Sequence, residues 1–182
     1  MKDLFKDFNI NKFKNKKPPS NKSLGTFKEI KDLEKIKDDR KFVESKDDIF
    51  TAFKSVAEKN KIDYPTKLVK TLINESSKPI MDLKNFYKRS RPRVVAEEIG
   101  VKLNDIKLKT MSTPSYPSGH SAQGFLVGKV LADKYPKASK DFMKEAKDIS
   151  YSRNVAKAHY KSDTKFGEQL GTSMYEYVKD KI

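Results

Sequence analysis

The chain has 182 residues, of which 36% are hydrophobic and 36% are charged, and its formal net charge is +15 at pH 7. This length suits one domain, or one domain with a tail, and a core of modest size. The absence of cysteine excludes disulfides, thiolate catalysis and zinc–thiolate sites. The charge favours an anionic substrate, or a non-specific anionic partner such as nucleic acid or a membrane surface, and is equally typical of a lysine-rich coding bias.

The first segment, residues 1–24, is rich in lysine, asparagine and phenylalanine. We predict a basic tail that is either flexible or strapped to the domain by Phe5, Phe8 and Phe13. The segment has the charge of a signal peptide but lacks its apolar centre, and no apolar run in the chain is long enough to span a bilayer. We therefore expect a soluble, cytoplasmic protein without a signal peptide. The lysine- and asparagine-rich composition alone suggests the alternative of a virus-associated protein.

Residues 25–182 are predicted to form one helical domain, because apolar residues recur at helical spacing and no segment alternates strictly as a strand does. The predicted fold is all-α, a compact helical bundle in which several glycines permit close helix approaches (Gly124, Gly128, Gly167 and Gly171). A capping box, Thr26-Phe27-Lys28-Glu29, opens the first helix. Further helices are expected over about 46–59, from Pro65 to about Ile73, from Pro79 to near Arg91, over 93–100, from Gly119 to Tyr135, from Ser139 to Arg153, and over 166–178.

The stretch Pro117-Ser118-Gly119-His120 places a histidine at the start of a predicted helix. Free main-chain N–H groups at a helix start bind anions, and glycine lets the main chain approach a bound oxyanion closely. Taken alone, this pattern is equally typical of a serine N-cap before an ordinary helix.

Two further clusters flank this stretch in the sequence. Lys84 is followed after six residues by Arg91-Pro92, and Ser152-Arg153 is followed by His159 and Asp163. Taken alone, Lys84 and its neighbours Lys88 and Arg89 are typical of a solvated helix face, and a histidine four residues before an aspartate is typical of a surface pair. The occurrence of all three clusters in this order favours a common site.

The cations and the helix start predict a phosphate-binding site. Phosphoryl transfer depends mainly on positioning and on stabilising negative charge. Lys84 can act as a point charge, while Arg91 and Arg153 offer planar forks to two oxygens each. Ser118 and the Gly119 amide complete the predicted cradle.

The chain has only two histidines, and both lie in these clusters. His159 is a candidate nucleophile, and Asp163 could hold its other ring nitrogen in the correct tautomer. His120 is then available to protonate the leaving alkoxide and afterwards to activate water.

The three clusters resemble the three-part signature of the type 2 phosphatidic acid phosphatase (PAP2) superfamily, which includes the class A acid phosphatases and the vanadium haloperoxidases. The resemblance covers Lys84 to Asp163. It implies phosphate binding and catalysis by the residues named above, with a phosphohistidine on His159. The implied enzyme is a metal-independent phosphoric monoester hydrolase without a cofactor, acting on a phosphate ester of a small molecule or a lipid head group.

Two residues depart from many relatives, since Ala158 and Tyr160 stand where glycine and tryptophan are common. These changes alter the wall of the site more than its reacting groups, so they bear on substrate choice. Two other functions compete with the phosphatase: a vanadate-dependent haloperoxidase on the same fold, and a non-catalytic basic module that binds nucleic acid or anionic lipid. The sequence does not specify the oligomeric state.

Overall fold

Eight α-helices and three short 3-10 helices make up the regular structure of residues 3–182, the part of the chain that the computed structural model describes. No β-strand occurs in this range, and none of its helices is long and apolar enough to cross a membrane. The predicted all-α fold is therefore confirmed. The helices are α1 (Leu24–Glu34), α2 (Arg40–Asp47), α3 (Ile49–Lys59), α4 (Thr66–Tyr87), α5 (Pro92–Glu98), α6 (Gly119–Lys134), α7 (Ser139–Val155) and α8 (Lys161–Val178).

Several helix boundaries differ from the predicted ones, and one of them is the start of α8, which lies at Lys161 and not near residue 166. Helix α1 begins earlier, because Ser23 rather than Thr26 is its N-cap and accepts a hydrogen bond from the Thr26 amide. The helix predicted over 46–59 corresponds to α3, which begins at Ile49 because Asp48 is extended and its side chain caps the helix. Helix α2 was not predicted, and it overlaps the predicted range only at its last two residues. Helix α4 continues through Pro79, where a break was predicted.

The continuity of α4 has a physical reason. A proline inside a helix costs about 3 kcal/mol, mainly through one lost hydrogen bond and a clash with the preceding turn. The helix buries an apolar stripe on both sides of Pro79, with Val69 and Leu72 before it and Ile80 and Leu83 after it. Burying each such side chain contributes about 1.5–3 kcal/mol, so packing outweighs the local cost.

Helix α6 is central, and it packs most extensively against α7 and α8. The predicted close approach is confirmed at Gly167 and Gly171 of α8. A Cβ atom would lie 2.5 Å from the main-chain oxygen of Ser118 at Gly167, and 2.1 Å from that of Ala122 at Gly171. Only glycine therefore allows α8 to lie this close to the start of α6.

The N-terminal segment contributes aromatic side chains to the core. Phe5, Phe8 and Phe13 are buried. Phe5 and Phe8 pack against Tyr177, and Phe13 packs against Phe166, so the segment contacts α8. The first two residues of the predicted tail lie outside the described residues, and the division into a tail and a domain stays a prediction.

Candidate active site

A cavity of about 220 Å³ opens between α4, α6 and α7. Within residues 3–182, none of the residues that line it is acidic. Six of the predicted site residues line the cavity: Lys84, Arg91, Gly119, His120, Arg153 and His159. The other two, Ser118 and Asp163, are fully buried and are joined by a hydrogen bond from the Ser118 amide to the Asp163 main-chain oxygen.

Lys84 lies in the last turn of α4 and is buried. Its ammonium group donates to the main-chain oxygen of Pro114 at 2.6 Å. Burial, assisted by the positive charge of Arg91, lowers the pKa of Lys84 to about 7. The charge of this side chain is therefore sensitive to pH in the neutral range.

The guanidinium of Arg91 uses all five of its N–H donors. Its Nε donates to the Thr113 oxygen at 2.8 Å, and NH2 reaches the Thr110 oxygen and the Thr113 hydroxyl, each at 3.2 Å. NH1 donates to the Ala158 oxygen and to Nε2 of His159, both at 2.9 Å. Arg91 therefore holds the segment around Thr113 over the cavity and contacts the predicted nucleophile.

Arg153 is 1% exposed, and only part of its guanidinium has a partner. NH1 donates to Oδ1 of Asp47 at 3.0 Å, whereas the buried Nε and NH2 have no hydrogen-bond partner among the described residues. Burial lowers the pKa of Arg153, and Asp47 opposes this effect. Unpaired buried donors are costly, and Nε and NH2 together form the edge of a guanidinium that grips two oxygens of an anion.

His120 follows the N-terminal residue of α6 and contacts Asp47. Its Nε2 lies 2.8 Å from the Asp47 main-chain oxygen, so Nε2 carries the proton, because a carbonyl only accepts. The Asp47 carboxylate is 3.6 Å from the same nitrogen. Burial and the charge of Arg153 nevertheless lower the pKa of His120 to about 4.

His159 lies between an acceptor and a donor. Its Nδ1 is 3.3 Å from Oδ2 of Asp163, and its Nε2 faces the Arg91 guanidinium. Nδ1 is therefore the protonated nitrogen, and Nε2 keeps its lone pair. Burial and the neighbouring cations, Arg91 foremost, hold the pKa of His159 well below its usual range, so the ring is neutral.

Asp163 lies in the first turn of α8, and hydrogen bonds from several groups hold its carboxylate. Its Oδ2 accepts from the Tyr160 amide at 2.9 Å and from the Ser115 hydroxyl, which also lies 3.5 Å from Nδ1 of His159. Burial raises the pKa of Asp163, while Arg89 and these hydrogen bonds act in the opposite direction. These contacts fix the position of the carboxylate that accepts the hydrogen bond from His159.

Arg89 is a site-supporting residue that the sequence analysis missed. The interpretation as part of a solvated face is wrong for it, because it is 3% exposed. NH1 lies 2.7 Å from both Asp163 Oδ1 and the Ser162 hydroxyl, NH2 lies 2.9 Å from Glu29, and the guanidinium stacks 3.9 Å above the Tyr160 ring. The buried Lys84 departs from that interpretation as well, whereas the neighbouring Lys88 is exposed.

The Pro-Ser-Gly turn forms the start of α6 as predicted. Ser118 is the N-cap, and its hydroxyl oxygen accepts from the Ser121 amide at 3.2 Å and from the Ser121 hydroxyl at 2.9 Å. Gly119 is the first helical residue, so its N–H is one of those without an acceptor inside the helix. Gly119 lines the cavity and Ser118 does not, which leaves the amide as the better-placed donor.

Comparison with known proteins gives two results. The chain matches the model of the PAP2 superfamily over residues 68–177, which include all eight predicted site residues. The non-specific acid phosphatase of Salmonella typhimurium is 31% identical over 88 residues, and that of Salmonella typhi is 30% identical over 88 residues. In both cases the match covers 48% of this chain and only 35% of the relative.

Proposed function

The chain belongs to the PAP2 superfamily, and we propose that it is a phosphatase that hydrolyses phosphate esters through a phosphohistidine on His159, without a metal ion. The observation that carries this proposal is the free edge of Arg153. Two of its N–H groups are buried and have no hydrogen-bond partner within residues 3–182. They lie beside a cavity whose lining includes three cationic side chains and no carboxylate from that range, and such a site suits a phosphoryl group. The same lining is poor in the oxygen ligands that a divalent cation prefers.

The phosphoryl group would bind to donors from three elements. Arg153 offers Nε and NH2 from α7, Gly119 offers its amide at the start of α6, and Lys84 offers a charge from the end of α4. Arg91 would exchange part of its contacts with the Thr113 segment for phosphate oxygens. The related acid phosphatases of Salmonella support this reading of the cavity.

In the first step, Nε2 of His159 attacks phosphorus. A nitrogen–phosphorus bond forms, the bond from phosphorus to the ester oxygen breaks, and that oxygen leaves with a proton from His120. His120 makes this transfer in its imidazolium form, which the negative charge of the bound phosphoryl group favours against the burial that lowers the pKa of the ring to about 4. Asp163 accepts the Nδ1–H hydrogen bond of His159 and favours the positive charge that develops on the ring. The low pKa of His159 is an advantage here, because the attacking nitrogen needs no prior deprotonation.

In the second step, water attacks the phosphohistidine. His120, now neutral, takes a proton from the water, an oxygen–phosphorus bond forms, and the nitrogen–phosphorus bond breaks with its electron pair returning to His159. Inorganic phosphate then leaves. Arg153 and Lys84 stabilise the charge on the phosphoryl oxygens in both steps.

Phosphate release from a panel of monoesters tests the proposal. The panel contains an aryl phosphate, a nucleotide, a sugar phosphate and a short-chain lipid phosphate, each with and without chelator. We expect release from at least one ester, unchanged by chelator and inhibited by vanadate, which resembles the transferring phosphoryl group. Loss of all activity in chelator, with recovery on adding magnesium or zinc, would overturn the metal-independent mechanism.

A further inference from the structure

We propose that Asp47 is a positioning residue that holds both Arg153 and His120 in place for the reaction. The inference rests on the proposed function, and Asp47 lies outside the segment matched by the family model. Asp47 is the last residue of α2, and it contacts Arg153 through its side chain and His120 through its main chain. The carboxylate accepts from NH1 of Arg153 at 3.0 Å, and the main-chain oxygen accepts from Nε2 of His120 at 2.8 Å.

The break between α2 and α3 makes the second contact available. The main-chain oxygens in the last turn of a helix accept no hydrogen bond from inside that helix. Because α2 ends at Asp47 and Asp48 is extended, the Asp47 oxygen is free to accept from His120. An uninterrupted helix over this stretch would have used that oxygen for a hydrogen bond of its own.

The end of α2 is itself fixed against α7, the helix that carries Arg153. Lys46 and Glu145 form an ion pair at 2.7 Å, and both side chains are largely buried. Tyr151 of α7 packs against Phe42 of α2. Asp47 is therefore held at a set distance from Arg153 rather than at the end of a mobile segment.

The carboxylate contact determines which edge of Arg153 is available. With NH1 bound to Asp47, the guanidinium cannot turn freely, and Nε and NH2 remain unpaired. Their fork is thus oriented before the substrate arrives, and binding does not have to fix the side chain. Removing the carboxylate should weaken phosphate binding without removing any group that touches phosphate.

The main-chain contact determines which nitrogen of His120 exchanges protons. Nε2–H is bound to the Asp47 oxygen, so Nδ1 is left to give a proton to the leaving group and to take one from water. The nearby carboxylate also favours the protonated ring, against burial and against the charges of Arg153 from α7 and Lys84 from α4. The charge of Asp47 therefore matters most for esters whose leaving oxygen is strongly basic.

Two variants separate these effects. Asp47→Asn keeps an acceptor oxygen for Arg153 and leaves the main chain unchanged, but it removes the charge. We expect kcat for an alkyl phosphate to fall about tenfold or more, and kcat for an aryl phosphate to change little, since proton donation matters less there. Asp47→Ala also releases Arg153, so KM should rise for both esters. Asp180→Asn removes the same charge at an exposed position near the C-terminus and should change neither constant.

A second measurement does not depend on activity. With only two histidines, nitrogen-15 NMR of the labelled full chain resolves both rings, and His159→Asn assigns them. We expect the Nε2–H tautomer for His120 and a lower pKa of its ring in Asp47→Asn than in the wild type. An unchanged His120 pKa in Asp47→Asn, or equal losses of kcat on the two esters, would overturn the proposal. Failure of the wild type to release phosphate, with the NMR results as expected, would count against the proposed function and not against the role of Asp47.

Discussion

Arg89 and Asp163 form a buried ion pair, with NH1 of the guanidinium 2.7 Å from Oδ1 of the carboxylate. Asp163 contacts His159 through its other oxygen, and Arg89 contacts Glu29 of α1 through its other terminal nitrogen. The four side chains form one hydrogen-bonded chain from α1 to the predicted nucleophile. The position of His159 thus depends on a helix outside the segment matched by the family model.

The first prediction concerns the four hydrogen-bonded side chains from Glu29 to His159. Arg89→Lys cannot satisfy Asp163, Ser162 and Glu29 together, because an ammonium is a point donor and not a fork. We expect kcat to fall by about tenfold to a hundredfold with little change in KM, since Arg89 does not line the cavity. We also expect a loss of about 1–3 kcal/mol in the free energy of unfolding, because the lysine keeps the charge but leaves buried acceptors without a donor. Steady-state kinetics and denaturant unfolding measure both, and a rise in KM alone would argue against a positioning role.

The second prediction compares two cations. Arg153→Lys removes the fork beside the cavity and should cost about 2–4 kcal/mol of transition-state stabilisation. Lys88→Ala removes a positive charge from an exposed residue that ends α4 in a left-handed conformation, and should be near neutral in activity. The kcat/KM of each variant on one aryl phosphate, divided by that of the wild type, measures the two losses. Similar losses in the two variants would mean that the phosphate binds elsewhere.

The third prediction concerns pH. Lysine is charged below its pKa, so a Lys84 with a pKa of about 7 loses its charge as the pH rises through neutrality. Sulfate does not titrate in this range, and its competitive inhibition should therefore weaken between pH 6 and pH 9. In Lys84→Arg the charge persists, and the inhibition constant should stay nearly flat. A steep pH dependence that remains in Lys84→Arg would assign the titration to another group.

The fourth prediction concerns the contact between α6 and α8. Gly171→Ala places a methyl group 2.1 Å from the Ala122 oxygen and should destabilise the fold by at least about 1–3 kcal/mol, since two backbones must separate. Gly25→Ala is the matched control, because its nearest new contact is an ordinary 3.4 Å to Pro19. Thermal unfolding of the two variants should differ clearly. Equal stabilities would show that the helices are free to move apart at this contact.

Much of the site was predictable because its residues lie in three short clusters of the sequence, with a fixed spacing inside each cluster. The N-cap at Ser118 and the pair of His159 with Asp163 follow from local sequence, one from turn chemistry and the other from spacing on the chain. The close approach at Gly167 was also predictable, since glycine at a helix interior often marks packing. The N-cap and the pair of His159 with Asp163 depend on neighbours within a few residues, whereas the close approach at Gly167 joins α8 to Ser118 at the start of α6.

The contributions of distant segments were not predictable in this way. Arg89 lies two residues beyond the end of α4, and the left-handed Lys88 turns the chain so that helical spacing no longer indicates which side is buried. Asp47 and Asp48 look like ordinary surface carboxylates in a lysine-rich helix. Only the fold brings Asp47 to Arg153, which is 106 residues away in the chain.

The central claim is that His159 is the nucleophile and that His120 is the general acid and base. His159→Ala should abolish turnover of every ester, because no phosphoenzyme can form. His120→Ala should still react with an aryl phosphate, whose leaving group needs little proton donation, but the phosphoenzyme should not be hydrolysed for lack of a base. Alkyl phosphates should already fail at the first step in this variant.

Trapping the phosphoenzyme tests this claim most directly. Full-length His120→Ala is mixed with a labelled aryl phosphate, phenol release is followed in the first turnover, and the labelled site is mapped by peptide mass spectrometry at alkaline pH. We expect a burst of phenol and a phosphoryl group on His159 that is stable to base and labile to acid, as a nitrogen–phosphorus bond is. A label on Ser118, or a label that persists when His159 is also replaced by alanine, would contradict the account.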